Sequence, residues 1–288
     1  MLGLIIKGIG GFYYVKTETL TYQCRARGIF KKRGQTPMVG DLVKIQVLED
    51  GDAVVNEILP RKNAFIRPPI ANVDLLVVVV SATKPKPNLM IIDKFLVMAE
   101  KSGAEILLCI NKSDLAKEKE MEALFSTYEG IYDVIKTSGK EKEGIEALQQ
   151  RLKGKKSALT GPSGVGKSTL LNGLKPRAEA ETGGVSEKTG RGKHTTRHVE
   201  IFQLDEESMV YDTPGFTSFD ILEAEEHELQ FLYPEMQAYL GGCKYDNCRH
   251  VKEPECMVRK AVSEGKINAS RYASYQAQLE DIMNKKKY

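Results

Sequence analysis

Four stretches of this chain carry residue types at spacings that could do chemistry. Gly161-Pro162-Ser163-Gly164-Val165-Gly166-Lys167-Ser168 fits G-x-x-x-x-G-K-[ST] and runs straight on into Thr169. Glycines in such a loop let successive backbone N–H groups curl around an anion, and a helix starting at the lysine adds its positive end. In that chemistry Lys167 reaches the β and γ phosphates of a nucleoside triphosphate and the Ser168 hydroxyl holds Mg²⁺. Asn111-Lys112-Ser113-Asp114 would read the base. A carboxylate only accepts, so Asp114 can take both N1–H and the exocyclic amine of guanine, a pair that adenine does not present. Asp212-Thr213-Pro214-Gly215 puts a carboxylate where it touches Mg²⁺ through water, and the Gly215 N–H where it binds the γ-phosphate. The fourth stretch is Cys243-x₄-Cys248-x-His250-x₅-Cys256. Three thiolates and an imidazole suit tetrahedral Zn²⁺, and with no position left for water the site is structural.

These groups act only if the elements around them hold them in place. Residues 156–160 read as a short strand leading into the glycine loop, and 168–174 as the helix leaving it. The apolar run 106–110 is a buried parallel strand that delivers Asn111, and 208–211 is a strand that delivers Asp212. Around them the pattern alternates: a strand at 74–81, a helix at 91–101 ended by Gly103, a helix at 118–128, a strand at 131–135 and a helix at 144–152. This is a doubly wound α/β domain. Thr137-Ser138-Gly139 follows the strand 131–135 at a further loop on the same side.

Ahead of that domain, residues 1–66 give five short strands, at 2–8, 11–16, 20–27, 41–48 and 53–59, which suit an OB-like β-barrel. Arg25, Arg27, Lys31, Lys32 and Arg33 gather around one loop, with Phe12, Tyr13, Tyr14, Tyr22 and Phe30 near them in sequence. The cations suit RNA phosphates, and most of the rings are expected in the barrel core. Arg67-Pro68-Pro69 reads as a linker, since Pro-Pro breaks strand and helix alike. Behind the α/β domain, about 226–288 form a small, mostly helical domain that needs the Cys/His clip to fold, ending in a helix over 271–287 with a basic tail. The expected domains are therefore 1–66, 67–225 and 226–288. Between 176 and 198 the segment is polar and glycine-rich, with little to bury.

Composition sets the class. The 288 residues are 41% hydrophobic and 28% charged, which describes a soluble globular chain, and the longest apolar run, 75–80, is too short to span a bilayer. The first residues carry no basic n-region and no cleavage pattern, so a cytoplasmic protein with no membrane association is expected. The net charge of +3 divides unevenly, about +5 over 1–67, −6 over 68–238 and +4 over 239–288. Two basic flanks around an acidic middle point to a polyanionic partner. Cys24 and Cys109 fall within strand patterns and read as core residues.

The order of the motifs is unusual. Familiar GTPases run phosphate loop, D-x-x-G, then N-K-x-D, whereas here Asn111–Asp114 comes first. In an open parallel sheet all these loops leave the carboxyl ends of strands, so chain order does not matter to the assembled site. With these residues the chain resembles the circularly permuted GTPases, and over nearly its whole length the ribosome small-subunit-dependent GTPase family (RsgA/YjeQ). The resemblance implies GTP hydrolysis with Mg²⁺, one structural Zn²⁺, and a role in late maturation of the small ribosomal subunit, with binding to 16S-type rRNA and stimulation by the subunit. It implies that Ser138 belongs to the guanine loop. Of Thr195 and Thr196, both able to hold Mg²⁺ beside Ser168, it favours Thr196. Phe216 stands where many GTPases carry a water-orienting glutamine, so His194 is the candidate for that role, with Arg191 and Arg197 able to stabilise developing charge. A monomer is expected. Two other readings stay open: a GTP-regulated binding module for a non-ribosomal protein, and a P-loop ATPase or kinase in which Asn111–Asp114 is only a turn.

Overall fold

A computed structural model describes residues 1–32, 34–49, 52–65, 68–174, 199–212 and 224–285. The chain divides into two compact units, and it crosses between them several times. The first holds 1–77, 145–160 and 168–215; the second holds 78–144, 161–167 and 216–288.

In the first unit, five strands close on themselves: β1 (Leu2–Ile9), β2 (Phe12–Lys16), β3 (Thr21–Ala26), β4 (Leu42–Val47) and β5 (Ala53–Ile58). β1 pairs antiparallel with β2 and with β4, β2 with β3, and β4 with β5, while β3 and β5 run parallel. This closure leaves no free edge, and it is the OB-like barrel expected from the sequence. Alternation along the strands puts Ile5, Val15, Cys24, Val43, Ile45 and Val55 in its interior.

The rings depart from expectation. Of the five aromatics near the basic loop only Phe30 is buried, at 5% exposure, while Phe12, Tyr13, Tyr14 and Tyr22 are half-buried. Phe12 lies under the Arg25 guanidinium, 4.9 Å from its ring centre. The basic loop itself folds into one helical turn, α1 (Gly28–Lys32).

The Pro-Pro stretch is also more than a linker. β6 (Ala64–Phe65) and β7 (Ile70–Ala71) pair antiparallel on either side of it. Pro68 and Pro69 stand in the turn between the two strands, where the ladder needs no N–H from them. Beyond it, β11 (Lys156–Thr160) pairs parallel with β13 (Met209–Asp212), and β13 antiparallel with β12 (Glu200–Gln203). β12 in turn reaches β1, where Lys7 faces Glu200 and their charged groups meet at 2.9 Å. The sheet and the barrel thus share β1. α4 (Ile145–Leu152) precedes β11, and α5 (Lys167–Leu174) starts at the end of the glycine loop.

The second unit carries the parallel strands β8 (Leu75–Ser81, entered from the first unit), β9 (Glu105–Asn111) and β10 (Asp133–Lys136), in the order β10-β9-β8. Every residue of β8 is buried, as a central strand covered on both faces requires. α2 (Leu89–Ser102) follows from local chemistry. The Asn88 side chain caps its start by accepting from the Ile91 N–H, and Gly103 ends it at φ 67°. Its inward stripe is Ile92, Phe95, Leu96 and Ala99, and Asp93 is buried beside them. α3 (Glu118–Tyr128) packs Met121, Leu124 and Tyr128 into the same core. After 224 come two 3₁₀ turns (Leu229–Leu232 and Pro234–Tyr239), α6 (Met257–Ser263) and α7 (Ala269–Lys285). They surround a core of Leu229, Tyr233, Met236, Val258, Tyr275 and Leu279. No helix among the described residues is long and apolar enough to cross a membrane.

Candidate nucleotide site and metal centre

The glycine loop leaves β11 at Thr160 and enters α5 at Lys167, the strand-loop-helix context its motif needs. Two of its glycines are imposed by close approach. Gly161 has φ 139°, and a Cβ there would strike the Val79 carbonyl; Gly166 has φ 99°, and a Cβ there would strike the Asn111 amide nitrogen. Val165 is buried and Ser163 and Gly164 are exposed, so the loop is pinned from beneath while its outer side stays open. The Lys167 Nζ donates to the carbonyls of Gly161 (2.6 Å) and Pro162 (2.7 Å). Burial pushes its ammonium down to about 8, because carbonyl dipoles replace only part of the lost hydration. Ser168 and Thr169, in the first turn of α5, are exposed.

Asn111 ends β9 at 2% exposure and ties three segments together. Its Nδ2 donates to the Val165 carbonyl at 2.8 Å, and its Oδ1 accepts from the Gly139 N–H at 3.0 Å and the Thr137 hydroxyl at 3.2 Å. The Thr137 hydroxyl also meets the buried Cys109 thiol at 3.2 Å. Lys112 sits in the left-handed region at φ 64°, and its Nζ donates to the carbonyls of Gly164 (2.6 Å) and Lys84 (2.5 Å). Ser113 begins the 3₁₀ turn Ser113–Leu115, which presents Asp114. The Ser138 hydroxyl donates to Asp114 Oδ1 at 2.6 Å and accepts from the Glu141 N–H at 3.1 Å.

The second unit therefore brings Asn111, Lys112, Asp114, Ser138 and the glycine loop together. The loop Thr137-Ser138-Gly139 was readable in the sequence, but the side-chain bond of Thr137 and the parts played by Cys109 and Glu141 were not. Their partners lie 26 to 28 residues away for Thr137 and Cys109, and the Glu141 contact is a backbone N–H that any residue supplies. Chemically, the arrangement is an acceptor-only carboxylate, held by Ser138, set beside a phosphate-type loop that the Asn111 and Lys112 side chains hold by its backbone carbonyls.

In the first unit, Asp212 stands half-buried at the end of β13, whose pairing with β11 aligns it with the strand that feeds the glycine loop. Gly215 and Phe216 lie outside the described residues, as do Arg191, His194, Thr195, Thr196 and Arg197.

The Cys/His cluster is assembled. The ligand atoms of Cys243, Cys248, His250 and Cys256 all lie within 4.8 Å of one another. His250 Nδ1 is 3.6 Å from the Cys243 sulfur and 3.4 Å from that of Cys256, and those two sulfurs are 3.8 Å apart. These are separations between ligands that converge on one tetrahedral ion at bond lengths of about 2.0–2.3 Å. Burial raises the Cys248 thiol to about 12 and the Cys256 thiol in the same direction, so a metal must displace protons to bind. The four residues can hold a metal ion, and among the described residues they are the group of this kind that does so.

Comparison with known proteins covers both units. The RsgA GTPase family matches residues 58–222, and the RsgA N-terminal domain matches 2–55. The protein named small ribosomal subunit biogenesis GTPase RsgA from Clostridium perfringens is 46% identical over 99% of each chain. The one of the same name from Alkaliphilus metalliredigens is 42% identical over 99% of each. Among solved structures, YjeQ from Thermotoga maritima superposes with a TM-score of 0.83 at 36% identity, covering 98% of both chains. YloQ, described as a circularly permuted GTPase, gives 0.80 at 36% identity, covering 99% of this chain and 95% of that one.

Proposed function

The chain belongs to the RsgA GTPase family, and from that membership we propose that it hydrolyses GTP to GDP as a nucleotide switch in the biogenesis of the small ribosomal subunit. The observation that carries the nucleotide part is the clasp of one motif on the other: Asn111 donates to Val165 and Lys112 to Gly164, so the base-reading loop and the phosphate loop are one assembly.

In this reading Asp114, held by Ser138, selects guanine. The backbone of residues 161–166 and the Lys167 ammonium neutralise the phosphates, with Ser113 and Thr169 lining the same loops. Ser168 and Thr196 would hold Mg²⁺ with the Asp212 carboxylate in support, and the Gly215 N–H would take the γ-phosphate. A bound cation would supply charge neutralisation to the phosphates. His194 orients the attacking water, because Phe216 offers no polar atom for that work. The metal of the Cys243, Cys248, His250 and Cys256 cluster is Zn²⁺, on the softness of three thiolates and the closed donor set.

The partner is the small ribosomal subunit, gripped through 16S-type rRNA by the basic residues Arg25, Arg27 and Lys32 at the end of β3 and on the helical turn after it. The functional domains are 1–66, 67–225 and 226–288, working as a monomer in the cytoplasm. The chain runs from Gly215 into the metal-binding module within some ten residues, so a shift of that segment with the γ-phosphate is transmitted to the module.

The test is GTP turnover of the protein alone, with small subunits, and with large subunits or bulk RNA. Strong stimulation by small subunits alone is the expected result; equal stimulation by all three additions, or by none, would remove the small subunit as the partner. Asp114→Asn separates a GTPase from an ATPase. It should cost about 2–5 kcal/mol of GTP binding while xanthosine triphosphate gains. Unchanged GTP binding would sink the guanine assignment.

A further inference from the structure

The Cys/His motif names four ligands, but the structure ties a fifth side chain to them from outside the motif. Gln230 lies in the 3₁₀ turn Leu229–Leu232, thirteen residues before Cys243. Its Oε1 is 2.9 Å from His250 Nε2. Its Nε2 donates to the His227 carbonyl at 3.3 Å, which fixes which way the amide points. An amide oxygen can only accept, so His250 Nε2 must carry the proton. A neutral imidazole has one protonated nitrogen, and the lone pair is then on Nδ1. Nδ1 is the atom that faces the Cys243 and Cys256 sulfurs.

The rest of the residue is held to match. His250 is 2% exposed, so an Nε2–H without an acceptor would be buried and unpaired. Its backbone is in the left-handed region at φ 61°, and its carbonyl accepts from the Tyr272 hydroxyl at 2.6 Å. Tyr275 donates to the neighbouring Arg249 carbonyl at 3.0 Å. The backbone is thus set by α7 and the ring by Gln230.

We propose that Gln230 is a positioning residue for the metal: it holds His250 in the Nε2–H tautomer and aims Nδ1 at the ion. This rests on the reading of the cluster as a metal site. Groups that orient ligating histidines in this way typically change metal affinity 10- to 100-fold when removed. Gln230 also stands fifteen residues after Gly215, so the chain that leaves the nucleotide motif reaches the metal through this residue before it reaches the first cysteine.

The experiment uses the full chain, stripped of metal and titrated with Zn²⁺ against a chromophoric chelator, and with Co²⁺ to read the ligand field. Wild type should take up one ion per chain with a tetrahedral Co²⁺ spectrum. Gln230→Met, of similar length with no acceptor, should bind Zn²⁺ about 10- to 100-fold more weakly. Gln230→Glu, whose carboxylate also accepts from Nε2–H, should stay within a few-fold of wild type. Loss of metal uptake by wild type would overturn the metal reading and this inference with it. A loaded wild type with Gln230→Met at equal affinity, or with Gln230→Glu as weak as Gln230→Met, would overturn the inference alone. Should Gln230→Met not fold, ¹⁵N NMR of the loaded wild type decides: an Nδ1–H tautomer at His250, or an Nε2–H that exchanges with solvent as fast as a free imidazole, would overturn the proposal, and an Nε2–H protected from exchange with a scalar coupling to the Gln230 carbonyl would uphold it.

Discussion

Lys167 shows how one residue of the site stores its charge. Its Nζ is folded onto the carbonyls of Gly161 and Pro162, and burial lowers its ammonium from the ordinary lysine range to about 8. A polyphosphate needs that group charged. Its arrival adds negative charge beside the ammonium and raises the lysine again, so binding takes up a proton wherever the free protein has lost one. The direction of the pH dependence follows. Below about pH 8 the lysine is charged before and after binding, and affinity is flat on its account. Above that value a proton must be recruited, and affinity should fall by up to about tenfold per pH unit. Titrating a fluorescent GTP analogue from pH 7 to 9.5 measures this. A constant affinity over the range would mean that Lys167 is charged throughout, with no proton uptake on binding.

At the scale of elements, what was legible in the sequence was what is local. The glycine loop, the five barrel strands and α2 with its Gly103 stop each depend on residues close in the chain, and they appear within one or two residues of the expected bounds. Pairing was not legible. β12 is four residues long and owes its place to β13 and β1, and β6 and β7 are two residues each. The same limit applied inside the site, where Asn111 was readable but its bond to Val165, 54 residues on, was not. Asp93 was hidden in an otherwise apolar stripe because its partners lie on α3 and α7.

Gly40 makes the pairing argument testable. It sits at φ 96° where the barrel meets β13, and a Cβ would strike both the Ala71 carbonyl and the Tyr211 hydroxyl, which themselves bond at 2.6 Å. Asn72 donates to the Gly40 carbonyl from the other side at 2.9 Å. Gly40→Ala should therefore cost about 1–3 kcal/mol from backbone strain and overpacking. The denaturant midpoint is the readout. Gly10→Ala, also at positive φ but with open space around it, separates the two costs, since it carries the strain alone. Equal losses in the two variants would mean that the close approach at Gly40 contributes nothing.

At the scale of the molecule, the second unit is held by a buried charge cluster between α2 and α7. Arg271 and Asp93 are both 0% exposed and meet at 2.6 Å. Arg271 also grips Glu235 through Nε (2.7 Å) and Nη2 (3.1 Å), and its guanidinium stacks 4.6 Å from the centre of the Tyr233 ring. Tyr128 of α3 donates to the same Asp93 oxygen at 3.0 Å. Surface pairs across the same joint, such as Lys94 with Asp281, are solvated and contribute at most about 1 kcal/mol. The buried cluster differs, because removing one member strands the others without water. Arg271→Met should destabilise the unit by about 3–5 kcal/mol, through the uncompensated carboxylates of Asp93 and Glu235. Replacing all three with apolar residues of similar volume should recover most of that loss, since the pair gains little over well-packed carbon. Urea unfolding of the single and triple variants distinguishes the cases. A triple variant as unstable as Arg271→Met would mean that the cluster stabilises by its own attraction, and that α7 is fastened to α2 by charge more than by the packing around it.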